Sequence, residues 1–392
     1  MRVPGRPRSP TVHVYAGWLA ISIALAILGS VCAAAAPYIP ASDAEVLATL
    51  PRGISHGSRD TRQQVTARLD VTLPLAQFYI SRARATGDLR FLGYAEAVLT
   101  PWHRHQPELP QVLGLDATIL QSRHEFDAAL LKLDRALALR PDDPQAWLTK
   151  ATVLRVLGRY AQAVQSCTQV RVIDPAIGTL CEESIRALTG QLKPAYETLQ
   201  DLPTQDFAPQ ARAWWLSERG EMAVRLGNAQ AEALFQAALE LSPDDLYTRT
   251  AYADLLLTQR RAADALRLLQ GLESIEPTLL RIALAERQTH DEHLTSHRTL
   301  LQNAFDVEER RGEAVHRREQ ARFLLDIADD PPAALRAALE NWRTQREPAD
   351  VLILLRAAQA AGHPEAAHPA REFVRANGLE DVRLNSYGTG SG

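Results

Sequence analysis

The chain has 392 residues, a formal net charge of −4 and a sequence pI near 6.3, with 46% hydrophobic and 6% aromatic content. That balance offers no basic field for nucleic acid, while the length leaves room for more than one compact domain. Nearly all of the 43 basic residues are arginines, Lys132, Lys150 and Lys193 being the lysines; this reads as compositional bias and not as a site.

The first segment is an address. Arg2, Arg6 and Arg8 precede an uncharged run from Val14 to Ala36 that closes on Ala33, Ala34, Ala35 and Ala36. The pattern predicts a signal peptide cut at the alanines. The run also approaches the roughly 20 residues that span a bilayer, so an uncleaved anchor with the arginines inside is the competing reading. A lipid anchor on Cys32 fits poorly, because Gly29-Ser30-Val31 lacks a leucine three positions ahead of it. Each reading puts the body outside the cytoplasm. The chain is expected to be periplasmic or secreted, or held at the inner membrane by residues 14–36, its one membrane contact.

Residues 37–60 form a linker punctuated by Pro40, Pro51, Gly53 and Gly57. A helix is expected from Thr61, interrupted near Pro74. Leu75–Ala85 and Leu89–Thr100 then make a first hairpin around Gly87-Asp88, with the aspartate as N-cap.

From here a period takes over. Pro107, Pro141, Pro175, Pro209, Pro243 and Pro277 recur every 34 residues. Twelve positions ahead of most of them sits an alanine: Ala95, Ala129, Ala163, Ala231 and Ala265. Eight positions ahead come Leu99, Leu133, Cys167, Phe235 and Leu269. Such fixed-period self-similarity marks a solenoid of stacked units. In Pro144–Pro175, Trp147, Leu148, Leu154 and Val156 recur at helical spacing, and Gly158 supplies a corner. Tyr160, Ala163, Val164, Cys167 and Val170 follow on a second helix, which Pro175 ends.

Trp147, Gly158, Tyr160, Ala163 and Pro175, and again Trp215, Ala231, Phe235, Ala238 and Pro243, match the motif positions of one family. The chain resembles the tetratricopeptide repeat (TPR) proteins. The resemblance implies an all-α fold, a solenoid of antiparallel helix pairs wound as a right-handed superhelix. It is expected over residues 61–380, with the best units at 76–177 and 212–279, followed by a flexible tail at 381–392. One unit, Gly178–Ala211, departs from the pattern: Glu197 and Asp201 stand where alanine and a large apolar residue belong. Past Pro277 the ladder fails, although helices are still expected at Leu279–Gln288, His293–Glu309, Glu313–Ile327, Pro332–Gln345, Asp350–Ala361 and His363–Arg375.

In the family the first helix of each unit lines a concave groove. The corresponding residues here are Gln111, Thr118 and Gln121, then Gln145, Leu148, Thr152 and Arg155, and further on Leu216. The lysine–asparagine clamp for a terminal carboxylate is absent. What remains is a weakly polar channel suited to a helix or extended peptide, or else a solvated concavity with no ligand.

Catalytic signatures are missing: there is no G-x-S-x-G, P-loop or G-x-G-x-x-G. No catalytic residue, cofactor or metal is assigned. The reading is an extracytoplasmic TPR scaffold or adaptor, not an enzyme, which binds a protein or peptide and serves assembly of a membrane or periplasmic complex. The alternative is a metal-handling or cofactor-delivery accessory protein using His290, His293 and His297, two of which lie four apart on a helix face. Cys167 and Cys181 are the last feature. Each lies seven residues from Asp174, where two antiparallel helices turn, so a disulfide is expected in an oxidising compartment. Two buried free thiols are the alternative.

Overall fold

The computed structural model of the chain describes residues 68–311 and 316–387, all within the unit that spans Thr66–Gly392. The leader or anchor, the linker, the helix start at Thr61 and the last five residues lie outside the described residues. Every regular element among the described residues is helical.

The helices come in pairs: α1 (Leu69–Thr86) with α2 (Arg90–His105), α3 (Pro110–Ser122) with α4 (Phe126–Leu139), and α5 (Pro144–Val156) with α6 (Tyr160–Ile173). Then come α7 (Pro175–Arg186) with α8 (Leu192–Asp201), α9 (Pro209–Leu226) with α10 (Ala231–Leu241), and α11 (Leu246–Thr258) with α12 (Ala262–Leu269). The last pairs are α13 (Glu276–Thr289) with α14 (Leu294–Arg311), α15 (Arg317–Asp326) with α16 (Pro331–Trp342), and α17 (Pro348–Ala360) with α18 (His368–Asn377). Pairing therefore continues past Pro277, where the proline ladder stops. Pro74 is carried inside α1 without a break.

Both ends of each pair follow from local chemistry. The corner inside every pair holds a residue with positive φ: Gly87, His124, Gly158, Gly190, Gly227, Arg260, His290, Asp329 and Gly362. Only glycine does this without strain, so four corners escape a search for glycine. Between pairs, Pro175 and Pro209 open α7 and α9 at the first helical position, where the fixed φ suits and no N–H is lost. Ladder prolines thus mark the start of a unit as well as the end of its predecessor. Asp143, Asp174, Asp245 and Asp330 cap their helices by accepting backbone N–H bonds.

The expected bad unit is regular, but its register is shifted. Ala195 and Leu199 are fully buried, two residues ahead of Glu197 and Asp201, which are exposed. From Pro175 to Gly190 is 15 residues, against 17 from Pro141 to Gly158. α7 starts at Pro175 itself, whereas α5 starts at Pro144, three residues after Pro141; the missing turn advances α8, and the connection before Pro209 restores the phase.

The helical pairs also meet others far along the chain. The Arg346 N–H donates to the Val156 carbonyl at 2.8 Å, and the Tyr160 hydroxyl donates to the Arg346 carbonyl at 3.1 Å. Phe373 packs against Tyr160 with ring centroids 5.7 Å apart. The Leu192 N–H donates to Glu380 at 2.7 Å, and Gly190 lies against Gly378. Gly87 sits against Ile275, and Gly227 against Val382. Later pairs therefore seat on the corners of earlier ones, and one apolar cluster joins Leu154, Ala163 and Cys167 to Leu335, Trp342, Leu355 and Val374. Order runs further than the sequence implies: residues 382–387 form a 3-10 segment with Leu384 only 2% exposed. The tail expected to be flexible from residue 381 is packed as far as Tyr387.

Candidate functional site

The inner face is where the first helices of the pairs converge, and its chemistry is charged. Arg155 on α5 donates to Glu218 on α9 at 2.7 Å and lies 3.7 Å from Glu347, at the start of α17. The Trp214 indole N–H reaches the same Glu218 oxygen at 3.1 Å. Arg318 on α15 stands 3.4 Å from Glu347 and 3.5 Å from Asp350. Asp254 on α11 takes Arg281 at 2.9 Å and Arg322 at 2.6 Å.

These groups are buried or half-buried, and burial and neighbouring charges together decide their protonation. Burial opposes the Arg155 cation, but the surrounding carboxylates, Glu218 first, outweigh it and hold the guanidinium protonated. Burial also opposes ionisation of Glu319, yet Arg318 and Arg281 bring its carboxyl down to about 2. Asp350 goes the other way: burial, reinforced by Glu347, pushes it up to about 6 against the pull of Arg318. Asn341 donates to Asp350 at 2.8 Å.

Of the residues expected to line a groove, Gln145 and Thr152 are exposed on α5 and Gln111, Thr118 and Gln121 are half-buried on α3. Leu148 packs against the large apolar cluster, Leu216 is half-buried, and Arg155 is engaged by Glu218. Of the positions expected to line a groove, those on α3 and the start of α5 are thus exposed or half-buried, and Arg155 further along is taken up by ion pairs. Sequence reasoning missed Glu218, Glu347, Arg318 and Asp350. Their partners lie up to 192 residues away, as between Arg155 and Glu347, and no periodicity reports a pairing between distant units.

The histidines of the sequence reading do not converge. His290 closes the α13–α14 corner with φ +57° and is exposed. The Nδ1 of His293 lies 2.7 Å from Asp291, and that of His297 lies 2.9 Å from Glu286, each held by its own carboxylate. Their rings are 6.3 Å apart. Among the described residues the ligand-type atoms that gather are those of Glu276, Glu308 and His316. His103 is likewise tied, 2.9 Å from the buried Asp116.

No protein-family model matches the chain, and no curated protein matches it. Solved structures do. The chain is similar to one in the APC/C hetero-tetramer Cut9–Hcn1, at 12% identity and a TM-score of 0.50, over 82% of this chain and 62% of that one. It is also similar to a human IFIT1 dimer with PPP-AAAA, at 15% identity, 74% and 70% coverage and a TM-score of 0.46. A tetratricopeptide repeat protein from Parabacteroides merdae ATCC 43184 matches at 15% identity, 72% and 99% coverage and a TM-score of 0.29. The Cut9–Hcn1 likeness covers less than two thirds of that chain's length. It carries the fold.

The fold is a tetratricopeptide-repeat solenoid.

Within the TPR frame the two cysteines of the described residues are joined. Cys167 on α6 and Cys181 on α7 form a disulfide with Cα atoms 5.4 Å apart. Both are buried, and Asp174 alone connects the two helices, serving as the C-cap of one and the N-cap of the next. The approach is close because Gly178 faces α6: a Cβ there would lie 2.2 Å from the Arg171 Cα.

Proposed function

We propose that this TPR solenoid is an extracytoplasmic scaffold that binds a protein partner and serves assembly of a membrane or periplasmic complex. The observation that carries the reading is a helical-repeat frame with a disulfide built into one of its inter-unit turns. Disulfides persist in oxidising compartments, and the apolar run at 14–36 behind Arg2, Arg6 and Arg8 supports the same address. The partner surface we assign is the open start of the concave face, with Gln145 and Thr152 exposed on α5. It suits an extended or helical segment of a protein.

Capture from membrane extract tests this. Gln145→Arg together with Thr152→Arg should abolish co-purification of the partner, whereas Leu131→Arg, on α4 and 73% exposed, should not. Equal capture by both variants would remove the concave face from the proposal. Two free thiols on the denatured protein, counted without reductant as it leaves the cell, would remove the compartment.

A further inference from the structure

Three successive helices bring metal-ligand chemistry to one point. Glu276 is the first residue of α13, Glu308 lies in α14, and His316 is the N-cap residue of α15. The His316 Nδ1 is 2.7 Å from Glu308 Oε1 and 3.1 Å from Glu276 Oε1. One ligand-type atom from each residue lies within 4.8 Å of the other two. The three side chains are 17 to 21% exposed, so the point is sheltered yet reachable from solvent.

At this point two acidic side chains share one basic partner. Among the described residues, neither carboxylate has an arginine or lysine within 4 Å; the single cationic partner of both is the one imidazole, through the one nitrogen. The Glu276 Oε1 is fully sheltered from water, and its 3.1 Å approach to His316 lacks hydrogen-bond geometry. Two carboxylates and one imidazole nitrogen are a ligand set that a divalent cation matches in both donor type and charge. Imidazole nitrogen and carboxylate oxygens bind zinc at about 2.0–2.2 Å, and three protein ligands leave a fourth position for water.

We propose that Glu276, Glu308 and His316 form a zinc site that ties α13, α14 and α15 together. Binding exchanges Zn2+ for the His316 Nδ1 proton, which passes to buffer: the N–H bond breaks, the N–Zn bond forms, and nothing is oxidised or reduced. The site is separate from the histidines at 290, 293 and 297: the Nδ1 atoms at 293 and 297 each face a single carboxylate, Asp291 and Glu286, whereas that of His316 lies between two. It does not depend on the partner-binding reading.

The test is calorimetric titration of the chelator-treated full chain with zinc chloride, in two buffers of different ionisation enthalpy. One equivalent should bind, and the difference between buffers should report about one proton released. Glu308→Gln keeps the side chain's shape and should weaken binding at least tenfold, as should His316→Ala; His293→Ala with His297→Ala should leave it unchanged. A cobalt derivative should give visible ligand-field bands that are lost in Glu308→Gln. Absence of binding would overturn the proposal. So would unchanged affinity in Glu308→Gln, or dependence on His293 and His297, since zinc would then be an adventitious ion only. Circular dichroism on Glu308→Gln keeps a folding failure from passing for lost ligation.

Discussion

Two residues at corners carry the argument from backbone to packing. Gly158 and Gly271 both hold positive φ, at +71° and +80°. A side chain at either costs about 1–2 kcal/mol in backbone strain. They differ in surroundings: a Cβ at Gly158 would meet Phe373 at 2.8 Å and Arg346 at 3.2 Å, whereas at Gly271 nothing lies within 4 Å. Gly158→Ala should therefore lose about 1–3 kcal/mol more than Gly271→Ala, read as urea midpoints. Equal losses would show that the contact with Phe373 yields freely. His124 occupies a comparable corner with φ +60°, stacked on Phe126 and 3.3 Å from Gln345. Burial, helped by His316 and Arg318, lowers its pKa to about 4. The folded state thus keeps it neutral where the unfolded chain, near 6.5, takes up a proton. Its contribution is complete above pH 6.5 and falls away as the pH drops through that value towards 4, by about 3 kcal/mol. Asparagine tolerates the left-handed region, so His124→Asn should remove that slope from the stability profile. A profile that still parallels the wild type would place the acid sensitivity elsewhere.

At the scale of helices, the sequence exposes some features and hides others for physical reasons. Tyr160, Ala163 and Cys167 are each buried, because a helix packed on one face repeats its apolar residues every three or four positions. The α8 register was hidden because proline phase and helix phase separate there. Fixed spacing from Pro209 points to Glu197, while Leu192, Ala195, Tyr196 and Leu199, read for themselves, give the buried face directly. Corners at His124, Arg260, His290 and Asp329 carry no glycine and so no signal. The concave-face ion pairs were illegible because their partners are brought together by superhelical winding, which local pattern does not record. Ala163 and Glu197 test the register. Ala163 is fully buried, so Ala163→Leu should overpack the contact and cost about 1–3 kcal/mol. Glu197 is exposed and makes only a 3.9 Å surface pair with Lys193, so Glu197→Ala should shift the melting midpoint little. Similar losses at both positions would contradict the burial pattern of α8.

For the array as a whole, the contacts between distant pairs change how it should respond to damage. A repeat array in which each unit touches only its neighbours has stability close to a sum of unit and nearest-neighbour terms, and damage stays local. Here Phe373 on α18 packs on Tyr160 of α6, and Arg346 binds the Val156 and Leu157 carbonyls at the α5–α6 corner. The same apolar cluster takes in Leu154 and Trp342. The distant pairs should therefore open together. Phe373→Ala removes an aromatic side chain that is only partly buried, so the loss should fall short of the 3–5 kcal/mol typical of a core phenylalanine, at about 2 kcal/mol. Its distribution is the decisive quantity. Hydrogen exchange should accelerate at amides of α5 and α6 as well as in α17 and α18, while α11 and α12 stay protected. Acceleration confined to residues 348–377 would mean that the seat on the α5–α6 corner adds nothing, leaving the array to behave as a one-dimensional stack.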